Sequence, residues 1–246
     1  MTRRVLIVGA TSAIAEEASR CFAAEHARLM LAARDAAKLE IVADDLRVRG
    51  AESVCVMAGD LADDATRQAM ISHAATEWGG LDSALIAYGI LPDQALCEGD
   101  AEALRRALEV NCASVAAWMM ALGEILEKQR SGVLAVIGSV AGDRGRRSNY
   151  VYGAAKAAIA TLAAGLRPRL ASAGVRVVLV KPGWVSTPMT AHLPQNFLYA
   201  SPEAVGRGIY QAMLAGRSVV YLPWYWRWIM MAIRMIPEPL FVKLNL

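Results

Sequence analysis

Short β-branched apolar runs alternate along this chain with longer segments in which apolar residues return at helical spacing. The runs fall at residues 5–8, 28–33, 53–57, 83–87, 132–137, 175–180 and 218–222. The helical segments lie near 13–25, 36–49, 63–78, 101–128, 150–171 and 202–214. Strand followed by helix, repeated, predicts βαβ units and so one doubly wound α/β domain with a seven-stranded parallel sheet flanked by helices. That domain is expected over residues 1–222, with an apolar, amphipathic C-terminal extension over 223–246. No repeat, low-complexity tract or Pro/Gly/Ser-rich linker divides the chain. In such sheets ligands bind beyond the C-terminal ends of the strands. Chemistry is therefore sought at residues 9–15, 34, 60–61, 88–89, 139–142 and 182–189.

The 246 residues fit one α/β domain, and 56% hydrophobic against 20% charged residues excludes a disordered or fibrous chain. Twenty-six basic and 23 acidic residues leave a net charge of +3, too little to favour nucleic acid as a partner. The excess is localised. From residue 217 onward Arg217, Arg227, Arg234 and Lys243 stand against Glu238 alone. Cys21, Cys55, Cys97 and Cys112 form no CxxC pair, the opening apolar run is too short for a signal peptide, and no metal site is expected. A reducing cytoplasm fits these features. No stretch reaches ~18 apolar residues free of charge, so a spanning helix is not expected.

Three sites carry chemistry. Gly9-Ala10-Thr11-Ser12-Ala13-Ile14-Ala15 follows the first strand, where a glycine and small residues let backbone N–H groups reach a pyrophosphate at a helix N-terminus. After the second strand, an NAD-binding chain places an acid for the ribose hydroxyls, whereas this chain has Ala33-Arg34. A guanidinium there suits a 2′-phosphate and favours NADP(H) over NAD(H), although a solvated loop arginine would read the same way. Ser139 precedes Tyr152 by thirteen residues, and Lys156 follows it by four. That spacing puts Tyr152 and Lys156 on one helical face, where an ammonium favours phenolate and is expected to lower the phenol pKa. A serine at the strand end can orient a substrate carbonyl.

Together, Gly9, Asp60-Leu61, Asn111, Ser139, Tyr152-Gly153-Ala154-Ala155-Lys156 and Pro182-Gly183-Trp184-Val185-Ser186-Thr187 resemble the short-chain dehydrogenase/reductase family in order along nearly the whole chain. The resemblance implies a Rossmann fold and an NAD(P)H cofactor. It makes Tyr152 the general acid/base, with Lys156 on the nicotinamide ribose, Ser139 polarising the carbonyl and Asn111 supporting a proton-relay water. It also places Asp60 near the adenine and Pro182–Thr187, including Gly183 and Val185, along the nicotinamide. A homo-oligomer is implied too. Two departures stand out. Ala13 and Ala15 occupy the second and third positions of the family's glycine-rich turn, and Ile86-Ala87-Tyr88-Gly89 replaces Asn-Asn-Ala-Gly, which puts Tyr88 beside the cofactor.

Three further features bear on substrate. Asp143-Arg144-Gly145-Arg146-Arg147 follows the serine closely and could present guanidiniums to a phosphate or carboxylate, or simply be a solvated basic loop. His192 lies in the segment that forms a substrate lid in such folds, although a lone histidine is more often a surface or packing residue. In the tail, Trp224, Trp228, Met231 and Met235 form an apolar stripe, with Arg227 and Arg234 seven apart. Such a helix suits a membrane–water interface, at the inner face for a cytoplasmic protein, though a core or oligomer-interface helix would look similar. Within the family the chain also resembles the reductases of decaprenylphosphoryl-2-keto-erythro-pentose. The residues concerned are 87–91, 142–153, 189–193 and the closing Ile236-Pro237 and Phe241–Leu244. The expected activity is NADPH-dependent reduction of a keto-sugar on a polyprenyl phosphate. A soluble reductase of a small ketone, steroid or acyl substrate, or a non-catalytic scaffold, remains open at this point.

Overall fold

The computed structural model describes residues 2–244. In chain order the first half comprises β1 (Arg4–Val8), α1 (Ala13–Ala24), β2 (Arg28–Ala33), α2 (Ala36–Val48), β3 (Ser53–Ala58), α3 (Asp64–Glu77) and β4 (Ser83–Ile86). Then come α4 (Gln94–Gly99), α5 (Ala101–Leu108), α6 (Ser114–Gln129), β5 (Gly132–Ile137), α7 (Tyr150–Ala171) and β6 (Val175–Pro182). The chain closes with α8 (Pro202–Ala215), β7 (Val219–Leu222), α9 (Trp226–Met235) and α10 (Glu238–Phe241). Every strand pairing is parallel and the order is β3-β2-β1-β4-β5-β6-β7. The order reverses between β1 and β4, and a crevice opens at that switch point.

The two-residue period of the strands builds both halves of the core. In β1, Val5 and Ile7 pack with Phe22, Leu39 and Ile209 on one face, and Leu6 and Val8 pack with Trp118, Leu122 and Ile159 on the other. Capping sets several helix starts. Asp35 accepts from the Lys38 amide, Asp63 from Thr66 and Ser201 from Ala204, each satisfying a donor that a helix start leaves orphaned. Trp118 is fully buried and its indole N–H donates to the Leu61 carbonyl at 2.8 Å, which anchors the loop after β3.

Two differences from the sequence expectation touch the site. The segment read as one helix over 101–128 contains a π turn at Glu109–Ala113, and Asn111 sits in it, fully buried. A π turn widens the helix locally and re-aims its side chains, often at functional sites. The tail, in turn, folds back as α9. Its Trp226 and Met230 are buried against Val140, just after Ser139. Among the described residues no helix is long and apolar enough to cross a membrane.

Candidate active site

The ends of β1, β2, β4, β5 and β6 open into one cleft of about 520 Å³. It takes in every residue predicted for the cofactor except Asp60, together with Ser139, Tyr152, Lys156 and Arg146. Asn111, Arg147 and His192 lie outside its lining. Asp60 is exposed and its carboxylate accepts from the Ala62 amide, so it shapes the turn while its neighbour Leu61 reaches the cleft.

At the nucleotide end the β1–α1 turn leaves donors to spare. The amides of Thr11, Ala13 and Ile14 donate to no backbone carbonyl, and Ser12, the N-cap, makes no side-chain cap bond. Gly9 has φ +88°, and a Cβ there would come within 2.7 Å of Tyr88 Cβ and 2.9 Å of the Ala87 backbone, so the turn requires glycine. Ala15 is buried in the core, which shows that a methyl fits between helix and sheet; Ala13 stays part-exposed on the cleft wall. Arg34 lines the cleft at the end of β2. Lys38, unremarked in the sequence, joins it, its ammonium 3.1 Å from the Thr11 carbonyl. The signal was a second cation four residues after Arg34, in the first turn of α2, whose N-cap acid, Asp35, is taken up in capping. Unspent amides at a helix N-terminus beside two cations fit a dinucleotide phosphate.

Tyr88 forms the floor of the cleft. Its backbone and Cβ pass close over Gly9, its hydroxyl donates to Ser114 Oγ at 2.8 Å, and burial pushes its phenol well up. Asn111 Nδ2 donates to the Ala107 carbonyl at 3.0 Å, while Oδ1 accepts from the Ile90 amide at 2.9 Å. Its hydrogen bonds thus hold the loop after β4 in place. Gly89 lets that loop pass, because a Cβ there would meet Asn111 Oδ1 at 2.6 Å and lie 3.7 Å from Lys156 Nζ.

At the centre, Ser139 Oγ accepts from the Ala141 amide at 3.1 Å, leaving its own proton free to donate. Lys156 is 3% exposed and donates to the Ile137 carbonyl at 3.0 Å, with Nζ 5.7 Å from the centre of the Tyr152 ring. The spacing predicts a lowered phenol; the structure has it raised. Tyr152 keeps some surface on the cleft, yet the protein packed round it pushes its phenol up to about 12, the Ser139 hydroxyl pulling the other way. Burial likewise brings Lys156 down to about 8. Desolvation outweighs the cation because the ammonium is aimed at a carbonyl.

The arginine loop divides. Arg144 turns away from the cleft and donates to the carbonyls of Ile233 and Ile236 at 2.6 and 2.7 Å and to Glu238 at 2.8 Å. Arg147 is exposed to solvent. Only Arg146 lines the cleft; its Nε is buried with no hydrogen-bond partner, and burial lowers its guanidinium. Beside it, Asn149 Oδ1 is likewise buried and unpartnered. Asn149 stands at the N-cap of α7 but makes no capping bond, an anomaly that only the structure reveals. Asp143 is a hub, taking the Lys181 ammonium and the Tyr221 hydroxyl and so tying this loop to β6 and β7. Gly183 faces the Trp226 indole so closely that any Cβ there would overlap it. His192 is exposed, while Met189, Thr190 and Leu193 from the same loop wall the cleft.

Residues 3–197 match the family of short chain dehydrogenases. An uncharacterized oxidoreductase of Mycobacterium tuberculosis is 36% identical over 234 residues, covering 95% of this chain and 94% of that protein. Another uncharacterized oxidoreductase, from Streptomyces coelicolor, is 35% identical over 243 residues, covering 98% and 96%. The crystal structure of levodione reductase superposes with a TM-score of 0.81 over 89% of this chain and 95% of that one; at 22% identity the likeness is one of fold. With the cleft, the helix N-terminus and the Ser139, Tyr152 and Lys156 cluster in place, the chain belongs to the short-chain dehydrogenase family and is an oxidoreductase built to work with a nicotinamide dinucleotide.

Proposed function

We propose that this enzyme uses NADPH to reduce a carbonyl, and that its substrate is a keto-sugar carried on a polyprenyl phosphate. The observation that carries the substrate reading is Arg146, a cation whose buried Nε has no partner within the protein and which lines the cleft beside the equally unpartnered Asn149 Oδ1. A buried donor and acceptor left unmade are costly, and a ligand offering an anionic oxygen and a hydroxyl would satisfy both. A soluble ketone with neither group would leave that cost standing.

Thr11, Ala13 and Ile14 amides would hold the pyrophosphate, with Arg34 and Lys38 at the 2′-phosphate. When bound, the nicotinamide supplies the hydride. The free Ser139 proton hydrogen-bonds the substrate carbonyl and fixes its orientation. Tyr152, neutral at pH 7 because burial holds its phenol near 12, gives its proton to the developing alkoxide. Lys156, held near 8, is mostly cationic at that pH and stabilises the phenolate left behind. These protonation states suit Tyr152 to serve as the proton donor in a reduction.

The test follows NADPH consumption by the purified enzyme with a polyprenyl-phosphate keto-pentose and with water-soluble ketones. Tyr152→Phe is expected to lose about 10²–10⁴ in rate on either substrate. Arg146→Ala should raise KM for the phosphate-bearing substrate roughly 10- to 100-fold and leave a neutral ketone unaffected. Full activity of Arg146→Ala on the lipid phosphate would sink the substrate assignment while leaving the reductase standing.

A further inference from the structure

The tail carries a second surface that catalysis does not use. One side of α9 buries Trp226 and Met230, with Ile229 and Ile233 beside them. The opposite side shows Trp228, Met231 and Met235, 55%, 49% and 74% exposed. At about 100° per residue these fall in one stripe with Trp224, and Arg227 and Arg234 run along its flank. The stripe continues toward the cleft. Tyr225 donates to the Leu198 carbonyl at 3.1 Å, joining the start of the tail to the loop that walls the site, and the neighbours of that pair, Trp224 and Phe197, are 72% and 91% exposed. Met189 and Leu193, in the same loop as Phe197, add exposed apolar surface at the cleft wall.

The charge on this face has one sign. Arg227, Arg234 and Lys243 enter no ion pair among the described residues, whereas the Glu238 carboxylate is taken by Arg144. An apolar, tryptophan-bearing stripe flanked by free cations matches the boundary between acyl chains and anionic headgroups: indoles sit at that depth and arginines reach the phosphates. We propose that the face formed by α9 and the loop around Phe197 docks the enzyme on an anionic lipid bilayer, with the cleft mouth turned toward the lipid. A second copy fits less well. A two-fold contact would pair the face with itself, and no free acid on it answers Arg227 and Arg234. The proposal stands apart from the substrate's identity.

The test is flotation of the full-length protein with vesicles of phosphatidylcholine alone and of phosphatidylcholine with phosphatidylglycerol in equal parts. The protein is expected to float with the anionic vesicles. Arg227→Ala/Arg234→Ala should weaken that partitioning about 30-fold at low salt, near fivefold per cation removed. Trp228→Glu/Met231→Glu should abolish it while both variants keep the parent melting curve and NADPH affinity. Failure of the parent to float, or flotation indifferent to both variants, overturns the proposal. So does sedimentation velocity in which Trp228→Glu/Met231→Glu splits a parent oligomer into monomers, which would make the stripe a protein interface. Because NADPH affinity is read separately, loss of the docking face and loss of the reductase reading remain distinguishable.

Discussion

The Arg144 guanidinium lies 3.6 Å above the centre of the Phe241 ring while donating to the carbonyls of Ile233 and Ile236. One side chain from the loop after Ser139 thus closes the C-terminus of α9 and holds α10 against the body of the protein. The tail is thereby part of the site's wall, since Trp226 backs both Val140 and Gly183.

Cutting that clamp should loosen the tail. Arg144→Ala is expected to cost roughly 2–3 kcal/mol, the scale of charge-assisted hydrogen bonds lost from a largely buried guanidinium. Limited trypsin digestion should then cleave after Arg227 and Arg234 faster than in the parent. An unchanged digestion rate would mean the tail is held by its apolar contacts alone.

Lys156 should be a liability for stability as well as a catalytic need. Its folded pKa near 8 lies below the ordinary 10.5, so the folded state binds the proton less well than the unfolded chain. The penalty is complete below about pH 8 and vanishes as pH climbs through 10.5, and at about 1.4 kcal/mol per pKa unit it comes to roughly 3 kcal/mol. Lys156→Met removes it, less about 1 kcal/mol for the Ile137 carbonyl left without its donor. An activity assay should find the variant inactive, and calorimetry should find it melting several degrees higher at pH 7, with the gap closing and slightly reversing as pH rises from 8 through 10.5. A variant melting lower than the parent at pH 7 would refute the reading.

Cofactor choice should rest on two cations. Arg34→Ala and Lys38→Ala are each expected to weaken NADPH binding roughly 10- to 100-fold and leave NADH nearly unchanged, as read by nicotinamide fluorescence titration. Equal losses for both cofactors would assign these residues to the pyrophosphate or to folding.

Much of this was legible in the chain. Apolar strand runs alternating with helical segments specified a parallel sheet, and Gly9 marked the first turn because it directly follows the first strand; the structure gives it a φ of +88°. Tyr152 and Lys156 were found together because helical spacing is a local property. Other features depend on contacts distant in sequence. The pattern treated residues 101–128 as one helix, and nothing local announced the π turn that turns Asn111 onto the loop after β4. The i, i+4 spacing set Tyr152 beside Lys156, but the direction of their pKa shifts came from burial, which spacing does not encode.

The arginine loop marks the boundary most clearly. By itself the sequence determined that three guanidiniums follow the serine and that the tail is amphipathic, because composition and period are read along one line. Only the tertiary structure decided that Arg144 binds the tail, Arg146 enters the cleft without a partner and Arg147 faces water. It also decided that Trp226 goes inward while Trp224 and Trp228 stay out. Neighbours in the chain diverge because Arg144 meets acceptors from segments up to 94 residues away, whereas Arg146 Nε is buried in the cleft wall with no acceptor and Arg147 stays in water.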